Sequence, residues 1–379
     1  MAFRVGVIGG GQLARMMVPP AVHLGVDIRV LAETEGSSAR LAATQVGDYH
    51  DLQTVLAFAH DVDVVTFDHE HVPQPVLRAL VEAGVRVHPT PAALAVAQDK
   101  IVMRRRLTDL GLPVPDWAVV ADADELGAFL DGHGGRAVVK TPRGGYDGKG
   151  VRVVRAPHEA DDWFAAAREE DPRGGALLVE ELVEFRRELA QLVARRPSGE
   201  VVAWPLVETV QRDGVCAEVI APAPGGSGRL AELAEQIAVT VAAEVDVTGV
   251  LAVELFETTD GRLLVNELAM RPHNTGHWSI DGAVTSQFEQ HLRAVLDLPL
   301  GVTDARADWS VMVNVLGGPA SGALADRLPR LMAAHPEVKV HDYGKDPRPG
   351  RKVGHVTLSG DDLPDVVARA RAAATFFEG

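Results

Sequence analysis

The sequence predicts an α/β chain of two or three domains: an N-terminal Rossmann-like half of parallel strands, a small α+β lid, and a longer mixed α+β remainder. Three stretches carry this prediction. A strand runs into a glycine turn and a helix at residues 3–17, a glycine-rich loop separates two short strands near 137–154, and an Asp-Gly turn joins two apolar strands within 250–268. A length of 379 residues exceeds what one core usually serves.

In order, FRVGVI at 3–8 reads as a strand, and Gly9 to Ala14 gives G-x-G-x-x-A at the turn into a helix carrying Leu13, Met16 and Met17. A second strand, Asp27 to Ala32, ends at Glu33. Such a turn suits a dinucleotide, as in an NAD-dependent dehydrogenase, and equally any phosphate on a helix N-terminus. Further units are a strand at 62–67, a helix from Pro75 to Ala83 and a strand at 85–88. The stretch TFDHEH at 66–71 ends a strand where open sheets bind ligands; Glu70 there suits an amino or hydroxyl group, while His69 and His71 lack a third partner and read as surface residues.

Pro89 to Pro91 opens a helix running through Leu107 and ending near Gly111, with Pro113 and Pro115 beyond it. The domains expected are 1–98, 99–185 and 186–379. The middle one has strands at 117–120, 136–140, 151–154 and 177–180, a helix start at Asp122 to Glu125 and a helix from Pro157 to Glu170. Its loop KTPRGGYDGKG, 140–150, joins two strands. Free N–H groups with Arg143 and Lys149 suit phosphate oxygens, so the loop reads as a flap over a nucleotide or as a hairpin with a solvated basic tip. It is no Walker loop, having no G-x-x-x-x-G-K-[ST] match. Beyond it, strands are expected at 187–194 and 201–204, a loop at 221–228 and an amphipathic helix at 230–245.

A net charge of −16 argues against a nucleic-acid partner, because binding the backbone needs a basic footprint. The single Cys216 excludes an intramolecular disulfide and fits a reducing compartment. No run approaches eighteen apolar residues and the N-terminus enters a strand at once, so a soluble cytoplasmic protein without membrane contact is expected.

Asp260-Gly261 reads as a two-residue hairpin turn, which opposes residues whose numbers sum to 521, among them Glu254 and Glu267. Their Cβ atoms would be about 5 Å apart, and like charges so opposed are destabilising. Apolar neighbours give little screening. Oxygen ligands with no nearby histidine or thiolate suit Mg²⁺, with Asn266 as a further ligand or phosphate contact. The loop RPHNTGHW at 271–278 is dense in donors, and Lys345, Arg348, Arg351 and Lys352 form a basic cluster suited to a phosphate monoester or a solvated turn.

These stretches together resemble the ATP-grasp superfamily, and within it the N5-carboxyaminoimidazole ribonucleotide synthetase family. The similarity covers nearly the whole chain, through GGGQLA at 9–14, TFDHE at 66–70, GGYDGKG at 144–150, NELAMRPHNTGHW at 266–278, SQFEQHLRA at 286–294 and RPGRKVGH at 348–355. It implies an ATP-grasp fold with a pre-ATP-grasp N-terminal domain, a central lid and a C-terminal α+β domain, usually a homodimer. The implied reaction uses ATP and bicarbonate to carboxylate 5-aminoimidazole ribonucleotide through carboxyphosphate, in purine biosynthesis.

By that resemblance Lys100 and Lys140 contact the nucleotide phosphates, with Asn266 and the flap residues Gly145, Tyr146, Asp147, Gly148, Lys149 and Gly150. Backbone of Glu180, Glu181, Leu182 and Val183 reads adenine, Glu188 accepts from ribose, and Gln211 is a further ATP contact. Glu254 and Glu267 hold Mg²⁺. Gln12, Leu13, Glu70, Asn274, Lys345, Arg351 and Lys352 bind the ribonucleotide. Tyr146, Asp147, Lys149, Arg271 and His273 surround carboxyphosphate, with Asp147 as the base. Met270 and Asp68 stand where other members often carry proline and glutamate. Formate-dependent glycinamide ribonucleotide transformylases share the N-terminal turn, the carboxylate pair and the basic cluster, and a non-catalytic nucleotide sensor is a further alternative.

Overall fold

The structure is a computed structural model and describes residues 3–145, 149–170, 175–319 and 321–377. In the N-terminal sheet Arg4–Ile8 lies between the parallel strands Asp27–Ala32 and Val64–Phe67, with Ala43–Val46 outermost. The apolar residues of Arg4–Ile8 and Val64–Phe67 are buried because both faces are covered. Leu52–Ala59 and Gln74–Glu82 pack on one face; Gln12–Leu24 packs on the other, together with the distant helix Gln287–Val295 and Tyr343.

Two expectations change here. The strand at 85–88 is a single bridge, Val65 to Val87, since Pro89 has no N–H with which to extend a ladder. The helix opened by Pro91 is two helices, Pro91–Gln98 and Lys100–Asp109. Asp99 between them is extended (φ −135°), and its carboxylate accepts from the N–H groups of Ile101 and Val102. Capping by a short acidic side chain wins over the continuous apolar pattern, and it sets Lys100 on the first turn of a new helix.

The lid sheet is antiparallel, in the order Trp117–Val120, Leu177–Glu181, Ala137–Lys140, Val151–Val154. Lys140 pairs with Val151, so the glycine loop does close a hairpin. Gly145 takes φ +77°, and a Cβ there would stand 2.4 Å from the Lys149 carbonyl oxygen, which explains glycine at that position. Tyr146, Asp147 and Gly148 lie outside the described residues.

Among the described residues the third sheet has nine strands, all antiparallel, around Gly249–Thr258 and Phe185–Arg195, the latter also pairing with Val201–Ala203. Leu263–Ala269 forms one edge; Val207–Arg212, Val215–Ala221, Trp309–Leu316, Lys352–Gly360 and Lys339–Asp342 carry it to the other. The helix Arg229–Glu244 covers one face through Ile237, Ala238 and Val241.

Candidate nucleotide and substrate cleft

A cleft of about 1800 Å³ lies where the three sheets meet. At one end the lid contributes Lys140, Gly145, Lys149 and the segment Glu180 to Val183. Gly150 sits at the flap base, its carbonyl accepting from the Thr141 N–H, and does not line the cleft. Glu180 and Glu181 end a strand laddered to Trp117 and Ala137, and the Glu181 amide already donates to the Asp116 carbonyl. Leu182 and Val183 follow and line the cleft. Glu188 and Gln211 line the wall opposite and share a side-chain hydrogen bond; burial raises the Glu188 carboxyl above its usual range against that bond.

Glu180 is also a charge centre. Its oxygens meet Arg104 and Lys140, the latter at 2.7 Å. Burial opposes its ionisation, but the two cations hold its carboxyl below the ordinary value. Lys140 reaches Asn266 Oδ1 at 3.3 Å, and Lys100 lies 3.7 Å from Glu267 and donates to the Gly144 carbonyl.

Glu254 and Glu267 are cross-strand partners, as the sequence suggests, but by a different route. The turn spans three residues, with Thr258 bonded to Arg262 and Gly261 at φ +82°. That shifts the ladder by one, pairing Leu255 with Val265; a bulge at Asn266 then restores Glu254 opposite Glu267. Bulges re-aim side chains, and this one faces Asn266 toward Lys140.

Burial first, then the charge of Glu267 and that of Glu188, pushes Glu254 up to about 8. A histidine does stand near, contrary to expectation: His273 Nε2 is 3.7 Å from Glu254 Oε1. Burial, with Arg271 and Lys352 beside it, keeps the imidazole neutral, so this contact is not an ion pair. Two opposed carboxylate groups, one destabilised by the other, form an oxygen donor set that fits Mg²⁺ completed by phosphate oxygens and water. Among the described residues no group of three His, Cys, Asp or Glu could hold a metal by itself.

At the other end Arg271 donates to Glu70 at 2.8 Å, and Lys345 donates to Gln12 Oε1 at 2.6 Å. Leu13, Asn274, Arg348, Arg351 and Lys352 line the same end. Asn274 is held by Asn314 (3.1 Å), and Gln287 clamps the His273 main chain through both its N–H and its carbonyl, each at 2.8 Å.

Two carboxylates sit on the glycine turn: Asp68 accepts from the Ala14 N–H at 2.7 Å and Glu33 from the Gly10 N–H at 3.0 Å. A Cβ on Gly11 would fall 1.9 Å from Asp68. Arg104 and Gln287 were given no role by sequence, and Asp68 was noted only as a departure from the family's usual glutamate. For Arg104 a signal exists, because it shares the buried stripe of its helix with Met103 and Leu107.

Comparison with known proteins decides the family. Family models match three stretches in turn: a ribonucleotide synthetase preATP-grasp domain over residues 1–98, an ATP-grasp domain over 105–288, and a phosphoribosylaminoimidazole carboxylase C-terminal domain over 310–369. An N5-carboxyaminoimidazole ribonucleotide synthase of Mycobacterium bovis is 53% identical over 374 residues, covering 98% of this chain and 86% of its own length. The chain belongs to the N5-carboxyaminoimidazole ribonucleotide synthases. The synthase of Corynebacterium ammoniagenes is 49% identical, with 98% of this chain and 91% of its own covered. The synthetase structure from Thermus thermophilus has a TM-score of 0.85 at 37% identity, covering 99% and 98% of the two chains. A synthase of Aspergillus clavatus in complex with ADP and 5-aminoimidazole ribonucleotide gives 0.88 at 29%, with the same coverage. This synthase is therefore an ATP-grasp ligase, and the dehydrogenase and formate-activating alternatives fall away. Among its described residues no helix is long and apolar enough to cross a membrane.

Proposed function

We propose that the cleft holds ATP with Mg²⁺ at its lid end and 5-aminoimidazole ribonucleotide at its N-terminal end, and uses the ATP to carboxylate the ribonucleotide with bicarbonate. The observation that carries this is the placement of Glu254 and Glu267 between Lys140 on one side and the Arg271–Glu70 pair on the other. Lys100, Lys140 and Lys149 bind the phosphates, Leu182 and Val183 present backbone to adenine, and Glu188, steadied by Gln211, accepts from ribose. Glu254 and Glu267 would hold Mg²⁺, which would supply positive charge against the transferring phosphoryl group.

Bicarbonate oxygen takes the γ-phosphoryl group to give carboxyphosphate and ADP. Arg271 holds this anion, with neutral His273 beside it. Gln12, Lys345, Arg351 and Lys352 fix the ribonucleotide, with Glu70 and Asn274 orienting its amine. That amine takes the carboxyl carbon as phosphate leaves; by the family resemblance Asp147 accepts the amine proton and Tyr146 is a further residue of the carboxyphosphate site. The product is the N5-carbamate of purine (IMP) biosynthesis. A cytoplasmic homodimer is the form the family resemblance implies.

Phosphate release from Mg·ATP at fixed bicarbonate is expected to rise at least tenfold on adding 5-aminoimidazole ribonucleotide. Release that ignores the ribonucleotide would overturn the acceptor assignment.

Glu254 also sets a pH dependence. Its folded value of about 8 lies above the ordinary 4.5, so the folded protein binds a proton that the unfolded chain has lost, and ligand-free stability falls as pH rises between those values. A cation must displace that proton. Mg²⁺ affinity should tighten by roughly tenfold per pH unit below about 8 and level off above it. Titration calorimetry at pH values on both sides of that point measures this, and equal affinities would remove Glu254 from the metal site.

A further inference from the structure

Three arginines follow one another on the helix Lys100–Asp109, and only the first of them, Arg104, is wholly buried. A buried guanidinium needs partners for its charge and its donors. Arg104 has a partner for its charge and for two of its three nitrogens: Nε donates to Glu180 Oε1, and Nη2 donates to the Asn266 carbonyl oxygen at 2.7 Å, while Nη1 has no partner among the described residues. The other Glu180 oxygen meets Lys140 Nζ at 2.7 Å, and Lys140 Nζ reaches Asn266 Oδ1 at 3.3 Å. The four residues close a ring. Its corners come from a helix, from two strands of the lid sheet and from the bulge at the edge of the large sheet.

We infer that Arg104 is a positioning residue for phosphoryl transfer, which fixes Lys140 on the lid relative to the Asn266 bulge and so to Glu267. The inference rests on the proposed nucleotide roles of Lys140 and Asn266. Without Arg104, Glu180 keeps one cation and draws Lys140 away from the cleft, while the bulge loses the donor that holds its carbonyl. The planar fork spans both acceptors at once. A lysine ammonium in its place keeps the charge but cannot reach both.

The test is Arg104→Lys, assayed by ribonucleotide-stimulated phosphate release beside the unaltered enzyme. The expected result is a KM for Mg·ATP raised tenfold or more, with the KM for ribonucleotide within twofold. A role confined to folding would lower the amount of active enzyme and leave both KM values alone; that outcome, or an equal rise in both, overturns the inference. If Arg104→Lys does not fold, Glu180→Gln opens the ring at the next corner and must give the same split. Unaltered enzyme that ignores the ribonucleotide would defeat the functional reading instead, so the two failures are distinguishable.

Discussion

Glu267→Gln is expected to retain less than about a thousandth of the turnover with Mg·ATP while melting no lower than the unaltered protein. The loss follows from the metal: an amide oxygen carries no charge, and about 4 kcal/mol of lost transition-state stabilisation corresponds to a thousandfold in rate. Retained stability follows from the geometry. Glu254 and Glu267 are directly opposed, and removing one charge removes the repulsion that raises the other. The change does sever the 3.7 Å contact with Lys100, but the Glu267 side chain is 48% exposed, so that contact contributes little. Turnover and a thermal melt on the same preparation check both halves. An active variant would remove Glu267 from the metal site.

Lys345→Ala is expected to raise the KM for ribonucleotide by about 30- to 160-fold and leave that for ATP within twofold. A charge-assisted hydrogen bond to a phosphate contributes about 2–3 kcal/mol. Lys345 lies at the cleft end formed with the N-terminal sheet, where Gln12 holds its ammonium at 2.6 Å. Because that contact orients the lysine, adding Gln12→Ala should cost less in the double variant than the two single effects summed. Steady-state kinetics with each substrate varied in turn decides this. Equal shifts in both KM values would place the basic cluster elsewhere.

Local signals made the two halves of the site legible, whereas the links between them arise from contacts that no local pattern encodes. The opposed glutamates were readable because two departures cancel: a three-residue turn moves the register one way and the Asn266 bulge moves it back. The break at Asp99 was hidden because capping and apolar periodicity point to different outcomes in the same few residues. The carboxylates on the glycine turn come from Glu33 and Asp68, which reach it only after three parallel strands have assembled. Strands such as VETVQR at 207–212, inside the large sheet, mix polar and apolar residues without a clear alternation, and their pairing with neighbouring strands on both sides is what defines them.

The chain also closes on itself: Gln12 meets Lys345 across 333 residues, Ser38 donates to the Tyr343 carbonyl, and Phe288, Leu292 and Val295 pack on the N-terminal sheet. During synthesis, then, the first hundred residues leave the ribosome with part of their apolar layer uncovered, and it stays so until the helix Gln287–Val295 emerges. The segment translated first is completed nearly last. A released fragment of residues 1–98 would carry that uncovered face into solution, and the ribonucleotide end of the cleft cannot exist on any nascent chain shorter than Lys345.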